Sequence, residues 1–204
     1  MPSETPFRIA LVIVFLMTVP IRLYYRLQVA ASGEKISRKE EGYVFPILLR
    51  LAGVCAAISI FTYVLFPDDV QWASVPASNW MRWVAVSVFA LGPVLIYWTF
   101  STLGKNLTDT VITRANAALV THGPYRWVRH PFYVTGALIL ASVTLLSANW
   151  LIGLLGLVVL GLLAIRTLKE EQMLIDRFGQ EYRNYMTRTG MFFSQAILLT
   201  KNHS

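Results

Sequence analysis

Cysteine is almost missing from this chain. Cys55 stands alone, which excludes an intrachain disulfide and a cysteine-built metal site, and its place inside an apolar run predicts a buried structural thiol. Charge is scarce as well: 14% of the 204 residues are charged while 55% are apolar, a balance outside that of soluble domains. Acidic residues number 11 against 18 lysines and arginines. The basic residues are dispersed around apolar runs on alternate connections, which argues for membrane topology and against nucleic acid as a partner. No polar stretch is long enough to build a second core, so residues 1–204 read as a single integral membrane domain. There is no internal repeat and no low-complexity segment. No G-x-G-x-x-G follows a strand and no G-x-S-x-G appears, which leaves a dinucleotide fold and serine hydrolysis unsupported. His122 and His130 lie eight apart across a turn with no third histidine near them, so no metal is expected. No signal for an obligate protein partner is present.

What the sequence does have is apolar runs of membrane length. Crossing the hydrocarbon takes roughly 17–25 residues of helix, and five runs qualify, at about Phe7–Gln28, Pro46–Phe66, Trp80–Phe100, Pro131–Ala148 and Trp150–Leu168. The first imitates a signal-peptide core, but arginines follow it and no small-residue cleavage pattern does, so it reads as an anchor. "SAN" between the last two is too short to cross anything and predicts a tight helical hairpin. The fold class expected is all-α integral membrane, with about five transmembrane helices, spans 4 and 5 paired in a hairpin, and a C-terminal amphipathic helix. That last helix follows from Leu168, Met173, Leu174, Phe178, Tyr182 and Tyr185, which recur every three or four residues, with Gly179 as a local break. Gly153, Gly156 and Gly161 in the fifth span predict close helix packing.

Lysine and arginine placement sets the orientation. Arg22, Arg26, Lys35, Arg38, Lys39 and Arg50 flank the first connection, whereas "PDDVQWASVPASN" after the second span carries none. The N-terminus is therefore expected outside, and the polar segments at about 104–133 and 166–190 in the cytoplasm. Trp72, Trp80, Trp83 and Trp150 fall at the opposite interface, as aromatic belts do.

Two polar blocks, His122–Tyr133 and Arg166–Glu171, are brought to one mouth by the hairpin. Arg166 and Glu170 are four apart and share a helix face, where they can bind each other or a zwitterionic ligand. Pro131 suits the first turn of a helix. His130 is then either an interfacial helix start or a ligand contact, and Tyr125 and Tyr133 are either membrane anchors or stacking surfaces.

The order L-V-T-x-G-P-Y-R-x-V-R-H-P-x-Y, an apolar hairpin, then R-x-x-x-E-E-x-x-L-x-x-x-F-G-x-E-Y-x-x-Y resembles the isoprenylcysteine carboxyl methyltransferase family, in a prokaryotic-type form, and is similar to phospholipid N-methyltransferases. The matching residues run from Leu119 to Tyr185. The resemblance implies S-adenosyl-L-methionine as cofactor, contacted by Ala117, Ala118, Leu119, Val120, Tyr125, His130, Pro131, Phe132 and Tyr133, with Glu170 completing the site. It implies that Arg166 faces the substrate, a lipophilic small molecule or lipidated group entering from the membrane lipids. Arg166 and His130 are the candidate catalytic residues: the first grips an acidic acceptor, and for an amine acceptor His130 or Glu170 is the candidate base. The implied activity is methyl transfer to a carboxylate, isoprenylcysteine-like or other, at a bacterial inner membrane. Two departures stand out, Thr135 where the family has glycine and "TGMFFSQ" where it has a basic, proline-containing ending. The alternatives are a membrane NADPH-dependent reductase of the sterol-reductase kind, which also carries an R-H-P-x-Y-like segment, and a non-enzymatic membrane scaffold.

Overall fold

The computed structural model describes residues 4–31, 44–104 and 118–195. Within them the chain forms seven α-helices: α1 (Thr5–Ala31), α2 (Val44–Leu65), α3 (Asn79–Ala90), α4 (Gly92–Leu103), α5 (Pro131–Ser147), α6 (Trp150–Phe178) and α7 (Gln180–Met186). Extended pairing among the described residues is confined to two isolated bridges, Ser74 with Asn149 and Val128 with Gly190. An all-helical build is what a bilayer demands, because each backbone N–H and C=O must be satisfied within its own segment.

Among the described residues four stretches are long and apolar enough to cross a membrane: Thr5–Gln28, Val44–Leu65, Asn79–Leu103 and Trp150–Phe178. The third of these is α3 and α4 in sequence, broken where Leu91 caps one helix and Pro93 opens the next; proline cannot donate to the preceding turn, so the axis breaks there. Helix α5 adds a shorter apolar element of 17 residues, about 25 Å long at helical rise.

The bundle is polar-poor outside and tightly packed inside. Leu11 and Val14 of α1, Phe89 of α3, Val143 and Leu146 of α5 and Ile152 of α6 form a continuous buried cluster, while Leu16, Val94 and Leu157 on the outer faces stay exposed, as lipid-facing residues do. Cys55 is one of these exposed residues, which corrects the expectation of a buried thiol. The inward face of α2 is taken by Ala56, Ser59 and Tyr63, spaced three and four apart, and Cys55 lies one residue round the helix from it.

The α5–α6 hairpin turns in two residues. Ala148 adopts the left-handed conformation with φ 48°, and Asn149 caps α6 by accepting from the backbone N–H groups of Leu151 and Ile152, satisfying two of its orphan donors. The Asn149 amide also donates to the Val70 carbonyl at 3.2 Å, and Val75 N–H donates to the Ala148 carbonyl at 2.8 Å. The hairpin tip is thereby fastened to the connection after α2. Down the hairpin, a Cβ on Gly156 would lie 2.5 Å from Leu140 and one on Gly153 2.7 Å from Thr144, whereas Gly161 faces open space. Two of the three glycines therefore serve helix packing, and Gly161, with open space in front of it, does not.

At the same end of the bundle, Trp72 and Trp150 meet edge to face at 5.5 Å. Trp98 and Trp127 do so at 5.4 Å toward the other end, beside the polar blocks. Helix α6 continues past Leu168 to Phe178 without interruption. It breaks at Gly179, whose φ of +53° suits glycine, and α7 turns back with Tyr182 and Tyr185 buried.

Candidate active site

The polar mouth is assembled from the start of α5, the last turns of α6, α7 and the segment after it. Pro131 opens α5 and His130 takes the cap position with non-helical backbone, φ −123° and ψ 62°. The chain before it is held by a short backbone pairing: Arg129 N–H donates to the Gly190 carbonyl at 2.9 Å and His130 N–H to the Met191 carbonyl at 3.2 Å. The segment "GMF" therefore belts the site, and Phe192 leans on the His130 ring at 6.0 Å.

Two adjacent carboxylates divide the chemistry. Glu170 Oε1 accepts from the Tyr133 hydroxyl at 2.6 Å and lies 3.2 Å from Arg166 Nε. Its Oε2 is 3.8 Å from His130 Nδ1. Glu171 points the other way, accepting from Arg129 Nε at 2.6 Å and Nη2 at 3.3 Å, with His130 Nε2 at 3.2 Å and the Tyr182 hydroxyl at 3.5 Å. Arg129 also donates to the carbonyls of Met186 and Thr189. Two glutamates thus face two arginines, the pairing that buried charges require. The Glu171, Arg129 and His130 side chains are each 8% exposed, against 19% and 21% for Glu170 and Arg166, so the Glu170–Arg166 pair is the one nearer solvent.

The tyrosines around the mouth are neutral donors. Burial raises the Tyr125 phenol above its ordinary range, with smaller contributions from Tyr185 and Glu170; burial likewise pushes Tyr185 up to about 12. The Tyr185 hydroxyl donates to the Tyr125 carbonyl at 2.5 Å, which ties α7 to the 3-10 turn Gly123–Arg126.

Of the residues singled out by sequence, Tyr133, His130, Arg166 and Glu170 converge on one cluster. Pro131 is buried at the helix start and Tyr125 is buried in the preceding turn. Phe132 turns toward α4, stacked on Phe100 at 5.5 Å and 20°. Ala118, Leu119 and Val120 lie in an irregular stretch leading to the turn, Leu119 and Val120 half-buried; Ala117 lies outside the described residues. Thr135, one residue beyond a turn from Pro131, is buried. Arg129 and Glu171 are the residues that sequence reasoning passed over. Their signal was present: a second carboxylate on an apolar helix needs a cation, and the arginine of R-H-P was the nearest unassigned one.

Fold and site together define a class, a multi-pass all-helical membrane protein with a cluster of ionisable residues at one mouth of a helical hairpin. Residues 83–176 match the isoprenylcysteine carboxyl methyltransferase (ICMT) family. It is 28% identical over 135 residues to the protein-S-isoprenylcysteine O-methyltransferase of Mus musculus, covering 64% of this chain and 48% of that one. It is 23% identical over 142 residues to the nickel-cobalt-cadmium resistance protein NccN of Alcaligenes xylosoxydans xylosoxydans, covering 69% and 62%. The chain spans about half the length of the mouse relative. Its fold matches the structure of the eukaryotic intramembrane Ras methyltransferase ICMT with a TM-score of 0.59 at 23% identity, over 88% of this chain and 66% of that one.

Proposed function

We propose that the protein is an integral membrane methyltransferase that moves a methyl group from S-adenosyl-L-methionine to a carboxylate of a lipophilic substrate, isoprenylcysteine-like or another lipid acid. The observation that carries the reading is the half-buried Arg166–Glu170–Tyr133–His130 cluster inside the region matched by the family. The donor set suits the cofactor: a carboxylate for its ammonium, and aromatic rings for its adenine and sulfonium. When bound, that group supplies an electrophilic methyl whose C–S bond breaks as the acceptor oxygen forms the C–O bond, neutralising both charges and moving no proton.

The chain's own residues then have to align and exclude water. Glu170 holds the cofactor end, oriented by the Tyr133 hydroxyl. Arg166 grips the acceptor carboxylate through its planar fork. Burial of Tyr125 and Pro131 and the belt around Met191 keep water from the back of the mouth. Ala118, Leu119, Val120 and Phe132 line the approach. The site faces the cytoplasm of a prokaryotic inner membrane, with the N-terminus outside; the support is the excess of arginine around the site mouth and the aspartates Asp68 and Asp69 at the other end.

Protein reconstituted in nanodiscs with radiolabelled S-adenosyl-L-methionine and a panel of S-prenylated cysteines, fatty acids and lipid amines tests this. Base-labile label on an acid acceptor is the expected result. Base-stable label confined to amines overturns the carboxylate assignment, and cofactor binding to NADPH in its place overturns methyl transfer.

A further inference from the structure

One arrangement at the mouth is not used by the proposed reaction. The His130 ring stands between two carboxylates, with Nε2 3.2 Å from Glu171 Oε1 and Nδ1 3.8 Å from Glu170 Oε2. We infer that Glu171, clamped by Arg129, is a positioning residue that decides which nitrogen of His130 carries the proton, and so which nitrogen meets the bound ligand.

Hydrogen-bonding capacity fixes the tautomer. Arg129 donates to both oxygens of Glu171, and arginine keeps its charge at any relevant pH. Facing that fork, Glu171 is an ionised carboxylate and can only accept. His130 Nε2 within hydrogen-bond reach of it must therefore be the N–H nitrogen, whether the ring is neutral or charged. The nitrogen left to face a ligand is Nδ1. It lies on the side of Glu170, Tyr133 and Arg166, the groups at the open part of the mouth.

Three further contacts hold this orientation. The His130 ring is stacked on the Tyr133 ring at 5.7 Å and 18°, Phe192 covers it, and the His130 backbone N–H is bound to Met191, so the ring cannot flip without breaking the cluster. Tyr182, raised above its ordinary pKa by burial first and the Glu171 charge second, approaches Glu171 as a neutral donor. The charged and titratable groups facing His130 are thus Arg129, Glu171 and Tyr182 on one side, and Glu170, Arg166 and Tyr133 on the other. A donor group of the ligand placed against Glu170 then meets a carboxylate oxygen and an acceptor nitrogen together. The role of Nδ1 toward a ligand rests on the proposed methyl transfer; its tautomer does not.

The test uses 15N-histidine in the full chain carrying His122→Asn and His203→Asn, which leaves His130 as the remaining histidine. Imidazole nitrogen shifts are read from about pH 5 to about pH 9, the range in which histidine changes charge. Nε2 is expected at a protonated-type shift throughout. A neutral ring with its proton on Nδ1 overturns the inference. In Glu171→Gln the amide can donate to Nε2, so part of the Nε2 signal should move to the unprotonated type; a spectrum unchanged from the parent also overturns it. Should that variant fail to fold, the parent spectrum decides alone. Methyl transfer is measured separately on the same samples: the expected tautomer without turnover sinks the proposed function and leaves the positioning role, whereas turnover with the wrong tautomer sinks the positioning role.

Discussion

The Tyr133 hydroxyl donates to Glu170 Oε1 at 2.6 Å across the foot of the α5–α6 hairpin. Tyr133 sits three residues into α5 and Glu170 five turns along α6, so only an antiparallel pair with a short connection can bring them together. The bond joins the two polar blocks and sets the oxygen of Glu170 that Arg166 shares.

Breaking that bond should weaken cofactor binding. Tyr133→Phe and Glu170→Gln are each expected to lower S-adenosyl-L-methionine affinity by about 1–3 kcal/mol, the cost of leaving a buried polar partner unmatched. Isothermal calorimetry in detergent measures it, and affinities equal to the parent in both variants would remove Glu170 from the cofactor site.

Arg166 separates acceptor from cofactor. Arg166→Lys keeps a positive charge near Glu170 but loses the planar fork, so turnover should fall while cofactor affinity stays within about threefold, under 1 kcal/mol. Parent-level turnover on each acid acceptor would show that Arg166 serves Glu170 alone.

The far end of the bundle depends on another arginine. Arg82, 4% exposed, donates to both Glu4 oxygens, to the Leu146 carbonyl at 2.8 Å and to the Tyr63 hydroxyl at 3.3 Å, while covering the Phe7 ring at 3.8 Å. It joins α1, α2, α3 and the last turn of α5. Arg82→Ala strands these acceptors and should cost about 3 kcal/mol or more, read as a lowered midpoint in thermal unfolding. The hydrogen bond from Arg82 holds the Glu4 carboxyl below its ordinary 4.5 despite partial burial. A depressed pKa contributes stability that is present above 4.5 and lost as pH falls through the lower folded value. Glu4→Gln should therefore show a smaller loss of thermal midpoint between neutral and acid pH than the parent; an identical acid slope contradicts the linkage.

Packing of the hairpin gives a prediction free of charge effects. Gly156→Ala places a methyl 2.5 Å from Leu140 and should cost about 1–3 kcal/mol by overpacking, relieved in part by Leu140→Ala in the double variant. Gly161→Ala, facing open space, should be neutral or mildly stabilising. Equal effects of the two substitutions would mean that the hairpin is not closed at Gly156.

Orientation can be read by labelling on a Cys55→Ser background. Ser74→Cys, exposed at the tip of the hairpin's partner loop, should react with an impermeant reagent outside intact cells, and Ser37→Cys should react only after permeabilisation. The reverse pattern inverts the proposed topology and places the site outside.

The all-helical membrane build, the hairpin and the meeting of two polar blocks at one mouth were determined by sequence alone, because hydrocarbon thickness and the short "SAN" connection leave the chain no other course, whereas α6 runs on to Phe178 and α5 stays shorter than a full span. The membership of Arg166, Glu170, His130 and Tyr133 in one cluster was legible for the same reason. What only the tertiary structure decided depends on partners far away in the chain. Glu170 and Glu171 are neighbours in sequence, yet a helix turns each residue about 100° from the last, and it is the position of Arg129, 42 residues earlier, that makes Glu171 the buried clamp. Arg82 finds Glu4 across 78 residues, and the Gly190–Met191 backbone finds Arg129 and His130 through a pairing with no side-chain pattern to announce it. Cys55 and Gly161 face outward because neighbouring helices pack elsewhere, a choice made by the bundle as a whole and not by either residue.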